Sequence, residues 1–346
     1  MPTDRKDSPS EQESPLARGV AIGRYIVLGL VGRGAMGDVY AAHDPELNRK
    51  VAIKVIRPRK GKDSSGEDRF RLMREAQSIA RLSHPNVVVI HDVGSFRDTV
   101  FIAMEFVEGH TVGYWMNAKP RRWREVLKIF EAAGRGLAAA HEKELVHRDF
   151  KPDNIMIGAD GHVRVMDFGL ARTVDGDGAP AAPAAPINDG ADEDLRSTRR
   201  ISLTGASRSD HEPPPSMTSP ISMRDSGRTL GGTPAYMAPE QFQGLKTDAR
   251  ADQFSFCVAL YEALYTKGPF EGRTWSELAA NVTAGKVRDA SLHSNVPLWI
   301  RKVLLRGLQV NPDERWPSMQ ALLSALDDDA IRLAEIDEWL AAREIR

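Results

Sequence analysis

His147-Arg148-Asp149-Phe150-Lys151-Pro152-Asp153-Asn154 crowds carboxylates, an amide and two cations into one short run. Downstream, Asp167-Phe168-Gly169 adds a carboxylate, and Gly232-Thr233-Pro234-Ala235-Tyr236-Met237-Ala238-Pro239-Glu240 a further motif. Upstream lies Gly32-Arg33-Gly34-Ala35-Met36-Gly37-Asp38-Val39. Three glycines at that spacing let backbone N–H groups approach phosphate oxygens without interference from Cβ. Alone the pattern also fits a dinucleotide-binding turn or an ordinary glycine-rich hairpin. A dinucleotide turn needs a helix next, whereas Val39-Tyr40-Ala41-Ala42 reads as continuing strand, which favours a strand–loop–strand cover. Lys54 sits in the apolar run Val51-Ala52-Ile53-Lys54, where a cation is costly unless paired. A lone strand lysine is ordinarily a snorkelling edge residue. With the glycine loop just upstream, Lys54 reads instead as a phosphate ligand that Glu75 on the next helix can hold.

These five motifs, in this order, resemble the eukaryotic-type (Hanks-type) protein kinase family, over about Tyr25 to Leu326. His-Arg-Asp-Phe-Lys-Pro-Asp-Asn, together with Asn311-Pro312-Asp313-Glu314-Arg315-Trp316, resembles the bacterial serine/threonine kinases in particular. The resemblance implies transfer of the ATP γ-phosphoryl group to Ser/Thr hydroxyls of protein substrates. Such transfer needs charge neutralised on the phosphoryl oxygens and the hydroxyl held in line. Asn154 and Asp167 are hard oxygen donors of the kind that suit Mg2+, and the family's pattern makes them its ligands. Asp149 would orient or accept the hydroxyl proton, and Lys151 would stabilise the transferring group. Lysine at that place is the serine/threonine pattern, and Thr233 would complete the substrate floor. Val31, Gly32, Gly34 and Gly37 would cover the phosphates. Val39, Ala52 and Met156 would sandwich the adenine, with Met104 as gatekeeper and Glu105 to Val107 as the hinge. Glu240 and Arg315 would form a buried ion pair, and Asp252 would brace the catalytic loop. A pseudokinase scaffold predicts a lesion among Lys54, Glu75, Asp149, Asn154 and Asp167, and none is present. A small-molecule phosphotransferase would generally lack the Ala238-Pro239-Glu240 platform.

Residue patterning supports an α+β, bilobal plan. Short β-type runs lie between Tyr25 and Phe106, interrupted by one helical pattern from Asp68 to Leu82 with Phe70, Met73, Ile79 and Leu82 near one face. From Glu125 onward helical spacing dominates, with segments near Asp252–Tyr265, Trp275–Ala284, Pro297–Leu308 and Ser318–Leu326. The expected divisions are a disordered 1–24, a small sheet lobe 25–107 with one main helix, a larger helical lobe 108–326, and a helical tail 327–346. Residues 175–226 are rich in Ala, Pro, Ser, Gly, Asp and Arg, and read as a disordered insertion. The tail offers Ile331, Ala334, Trp339 and Leu340 for docking on the large lobe, for dimerisation, or for the start of a further domain.

The composition is that of a soluble globular protein, 41% apolar and 27% charged with net charge −1, so nothing points to nucleic acid or to an anionic membrane surface. The sequence shows no signal peptide and no run long enough to span a bilayer. Its one cysteine, Cys257, lies in an apolar stretch, reads as a buried hydrophobe and fits a reducing, cytoplasmic compartment. In the family an arginine placed like Arg148 receives a phosphate on the activation segment. Thr229 and Ser226 are the best-placed sites for autophosphorylation, with Ser202 a second choice. A homodimer would suit that reaction.

Overall fold

The computed structural model describes residues 15–34, 37–57, 66–97, 99–168, 234–289 and 295–327. The amino-terminal lobe holds β1 (Ala21–Ile22), β2 (Tyr25–Gly34), β3 (Gly37–Asp44), β4 (Arg49–Ile56), helix α1 (Gly66–Ala80), β5 (Ile90–Phe96) and β6 (Thr99–Glu105). The strands form one antiparallel sheet in the order β1-β2-β3-β4-β6-β5. Alternation along β4 decides its two faces. Val51 and Ile53 point into a small apolar core with Tyr25, Val27, Tyr40 and Phe101. Ala52 and Lys54 turn the other way, and register aligns Val39 with Lys54 and Ala52 with Met104. Val39, Ala52, Lys54 and Met104 therefore share the face that looks into the cleft.

Three expectations change. Residues 15–24, expected to be disordered, are ordered: β1 pairs with β2, and Gly19 donates its N–H to Val27 O at 2.8 Å. Leu16 donates its N–H to the Tyr40 hydroxyl, and both Leu16 and Val20 pack on the small core. Phe70, expected on the packed face of α1, is 61% exposed; the expected Ile79 and Leu82 are buried and Met73 packs on the core, joined by Leu72 and Ala76. The one misplaced anchor is an exposed aromatic counted as a core residue. The third concerns Glu75 and is taken up with the site.

The second lobe begins with β7 (Gly109–Thr111), α2 (Val112–Ala118) and α3 (Trp123–His141). A 3-10 turn at Pro152–Asn154 leads into β8 (Ile155–Gly158) and β9 (Val163–Val165), which form a sheet with β7. Then come α4 (Pro239–Phe242), α5 (Ala249–Tyr265), α6 (Trp275–Thr283), α7 (Leu298–Gly307) and α8 (Met319–Asp327). Helix α5 is the central post: eleven consecutive residues, Ala251 to Tyr261, are buried, Cys257 among them. Such all-round burial explains why its apolar residues show no one-sided stripe. Burial pushes the Cys257 thiol far up, which leaves it unionised and inert. The lobes are stitched by main chain: Val88 N–H donates to Val165 O, and Val165 N–H to Asn86 O, each at 2.9 Å. No helix among the described residues is long and apolar enough to cross a membrane. Residues 1–14, the insertion 175–226 and the tail 328–346 lie outside the described residues.

Candidate active site

The catalytic run is held from below by one buried carboxylate. Asp252, near the start of α5, accepts the His147 N–H at 2.7 Å and the Arg148 N–H at 2.6 Å, and lies 2.8 Å from His141 Nε2. His147 in turn sits 2.9 Å from Met166 O and packs its ring 4.7 Å from that of Phe168. Arg148 and Asp167 both take a left-handed backbone, at φ 65° each. For residues other than glycine this costs of order 1–3 kcal/mol and persists only where the surroundings over-determine it.

Above this brace the reactive groups meet. Lys151 Nζ is 2.7 Å from Asp149 Oδ2. Asn154 donates its Nδ2 to Asp149 O at 2.7 Å and to Asp149 Oδ2 at 3.2 Å. Lys54, buried in β4, places Nζ 2.8 Å from Asp167 Oδ1. Burial opposes ionisation of Asp167, but the charge and hydrogen bond of Lys54, helped by His147 and Lys151, hold its carboxyl below the ordinary range. The aspartate is thus an anion at neutral pH. With Asn154 Nδ2 turned to Asp149, its Oδ1 is left as an oxygen donor.

That donor set fits a hard divalent cation held by one carboxylate, one amide oxygen and phosphate oxygens. No group of three or more His, Cys, Asp and Glu able to hold a metal occurs among the described residues.

Glu75 departs from expectation. The ion pair of Lys54 is with Asp167, and Glu75 Oε1 instead lies 3.8 Å from Arg148 Nη1. Two anions compete for one buried lysine, and here the arginine of the catalytic run takes Glu75.

The nucleotide face agrees with the sheet register. Glu105 spends its N–H on Val89 O at 2.8 Å, while the Val107 N–H has no backbone partner among the described residues. Met156 lies on β8 opposite Thr111. Gly32 pairs with Val39, and Val31 is half-exposed next to it. Strand β3 continues directly from Gly37, so the glycine loop joins two strands and no dinucleotide turn is present. The substrate platform is anchored by Arg315, whose Nη1 and Nη2 each lie 2.8 Å from a Glu240 oxygen, and by Gln241, whose Nε2 donates to Arg148 O at 3.1 Å.

One contact has no motif behind it: Arg164 Nε pairs with Glu105 Oε1 at 3.0 Å and Nη2 with Asp160 Oδ2 at 2.8 Å, so a β9 side chain pins the hinge. Its sequence signal is an arginine alternating with Val163 and Val165, which reads as an ordinary solvent-facing strand position. Gly169, Gly232, Thr233, Ser202, Ser226 and Thr229 lie outside the described residues.

Comparison with known proteins agrees with this geometry. Residues 25–186 match the model of the protein kinase domain, and 220–326 that of protein tyrosine and serine/threonine kinases. Serine/threonine-protein kinase PrkC of Bacillus subtilis is 30% identical, over 90% of this chain and 42% of that protein. PksC of Streptomyces coelicolor, also named a serine/threonine-protein kinase, is 31% identical over 92% of this chain and 50% of its own length. The chain thus spans about half or less of these relatives. The kinase domain of Mycobacterium tuberculosis PknI superposes with a TM-score of 0.60 at 24% identity, covering 90% of this chain and 99% of that one, a likeness of fold. Motifs, bilobal architecture and relatives agree that this chain belongs to the Hanks-type protein kinase family, alongside the bacterial serine/threonine kinases.

Proposed function

We propose that this chain is a serine/threonine protein kinase that passes the γ-phosphoryl group of ATP to protein hydroxyls. The observation that carries the reading is the convergence of Lys54, Asp149, Lys151, Asn154 and Asp167 at the junction of the lobes, each engaged with another of the set. Asp149 would orient the hydroxyl and take its proton. Lys151, on the same carboxylate, would neutralise the phosphoryl group as it moves. Lys54 faces the cleft beneath the glycine loop and would hold phosphate oxygens. Asn154 and Asp167 would hold Mg2+, which when bound neutralises charge on the phosphates. Val39, Ala52, Met104 and Met156 would enclose the adenine, and the Val107 N–H is open to hydrogen-bond it.

Arg148 gives the regulatory half. A phosphate on the activation segment is a stronger partner for a guanidinium than a carboxylate 3.8 Å away. Its arrival would draw Arg148 off Glu75 and let Glu75 turn to Lys54. Thr229 and Ser226 are the first candidates to carry it, then Ser202. Incubation with γ-labelled ATP and Mg2+, acid hydrolysis and site mapping test both halves. Phosphoserine or phosphothreonine, without phosphotyrosine, is expected, with at least one site in 196–230. Label on tyrosine would overturn the substrate class, and label confined to other regions would overturn the regulatory half.

A further inference from the structure

A large cavity opens at the base of the second lobe, away from the cleft and sharing no lining residue with it. Its volume is about 1260 Å3, and it is walled by the start of α3, the end of α5 and the chain after α6. The lining is strongly basic. Arg122, Arg124, Lys267 and Lys286 all reach it, and none makes an ion pair with a carboxylate among the described residues. The two acids in the wall are already engaged, Glu271 with Arg288 at 3.3 Å and Asp289 with Arg301 at 3.8 Å. Helix α3, 19 residues long, adds the positive end of its dipole beside Arg122 and Arg124.

Aromatic rings share the lining. Trp123 carries the Arg124 guanidinium 4.2 Å from its ring centroid, and Tyr261 and Tyr265 pack with centroids 4.5 Å apart. Arginine stacked on an aromatic is pre-organised to present its fork to an oxyanion. The volume exceeds the roughly 300–1,000 Å3 of small-molecule pockets, which suits a length of peptide.

From these observations we propose that the cavity docks a peptide segment carrying a phosphorylated serine or threonine. The phosphoryl oxygens would take Arg124 and Lys286, and the peptide would lie along Trp123 and Tyr265. The site rests on the proposed function only in that phosphoserine and phosphothreonine are the products of that reaction. It would hold the kinase to partners it, or another copy, has already modified. A bilayer is disfavoured because the cations line a concavity and do not crown a flat face.

The test is fluorescence anisotropy on the full chain, using a labelled short peptide of Gly, Ala and Ser with one phosphoserine, and its unphosphorylated twin. The phosphopeptide is expected to bind about tenfold tighter or better. Arg124→Glu with Lys286→Glu, both exposed positions, should abolish the difference and leave transfer to a short unphosphorylated substrate unchanged. If charge reversal disturbs folding, Arg124→Gln with Lys286→Gln reads the same loss. Asp149→Asn should bind the phosphopeptide like the parent, so docking and catalysis fail separately. Equal binding of the twins, or an unchanged preference in the double variant, overturns the proposal. So does competition by inorganic phosphate as strong as by the phosphopeptide, or tighter binding of phosphatidylserine vesicles.

Discussion

Lys54 shows how far single residues carry their own meaning. A buried lysine in an apolar strand announces an anionic partner, and the sequence reading points to Glu75. Only packing decides the partner, because Glu75 rides on a helix whose rotation no motif encodes. The structure gives Lys54 to Asp167 and Glu75 to Arg148. Glu262 was equally silent in the sequence. It accepts the Tyr236 hydroxyl at 2.5 Å, and burial, reinforced by Asp153, pushes its carboxyl up despite that bond. A raised carboxyl keeps its proton in the folded state after the unfolded chain has released it, at about pH 4.3. Stability therefore falls as pH rises from that value until the folded group also ionises. Glu262→Gln retains an acceptor for Tyr236 and removes the titration. Urea midpoints against pH should decline less for the variant across this window, and parallel curves would contradict the assignment.

At the level of elements, the glycine loop was legible because its chemistry is local. Gly37 has φ 153°, and a Cβ there would lie 2.1 Å from Val55 O. Gly37→Ala is expected to cost about 1–3 kcal/mol of stability and to raise the KM for ATP, read by thermal melts and initial rates. Unchanged melts and rates would show that the loop tolerates a side chain. The helices after Glu125 were also readable, each within a few residues, because amphipathic spacing and turn residues mark them. The short elements were not: α2, α4 and the β7-β8-β9 sheet are too brief for periodicity to register and exist through tertiary contact. Helix α1 is legible with its face correct apart from Phe70, since an exposed aromatic looks in sequence like a core one.

Across the whole molecule, the order of motifs dictated the bilobal plan before any contact was known. The details that hold it together were partly visible. Arg315 and Glu240, far apart in sequence, meet as a buried two-pronged pair, and Arg315 also donates to Gln309 O, Arg250 O and Val310 O. Removing one partner strands a buried charge. Glu240→Gln should thus cost about 3–5 kcal/mol, measured by urea unfolding, and a loss under about 1 kcal/mol would mark the pair as peripheral. The basic cavity at the end of α5 belongs to this scale as well, since Lys267 and Lys286 come from segments remote from the run Arg121-Arg122-Trp123-Arg124. The central claim is that the cleft between the lobes performs phosphoryl transfer with Asp149 at its centre. The most direct measurement is the rate of phosphate transfer from γ-labelled ATP with Mg2+ to a generic Ser/Thr protein substrate, for this chain and for Asp149→Asn. A rate lowered about 10²–10⁴-fold in the variant, with ATP binding retained, is the predicted result. Equal rates, or no transfer by the parent chain under any phosphorylation state, would contradict the account.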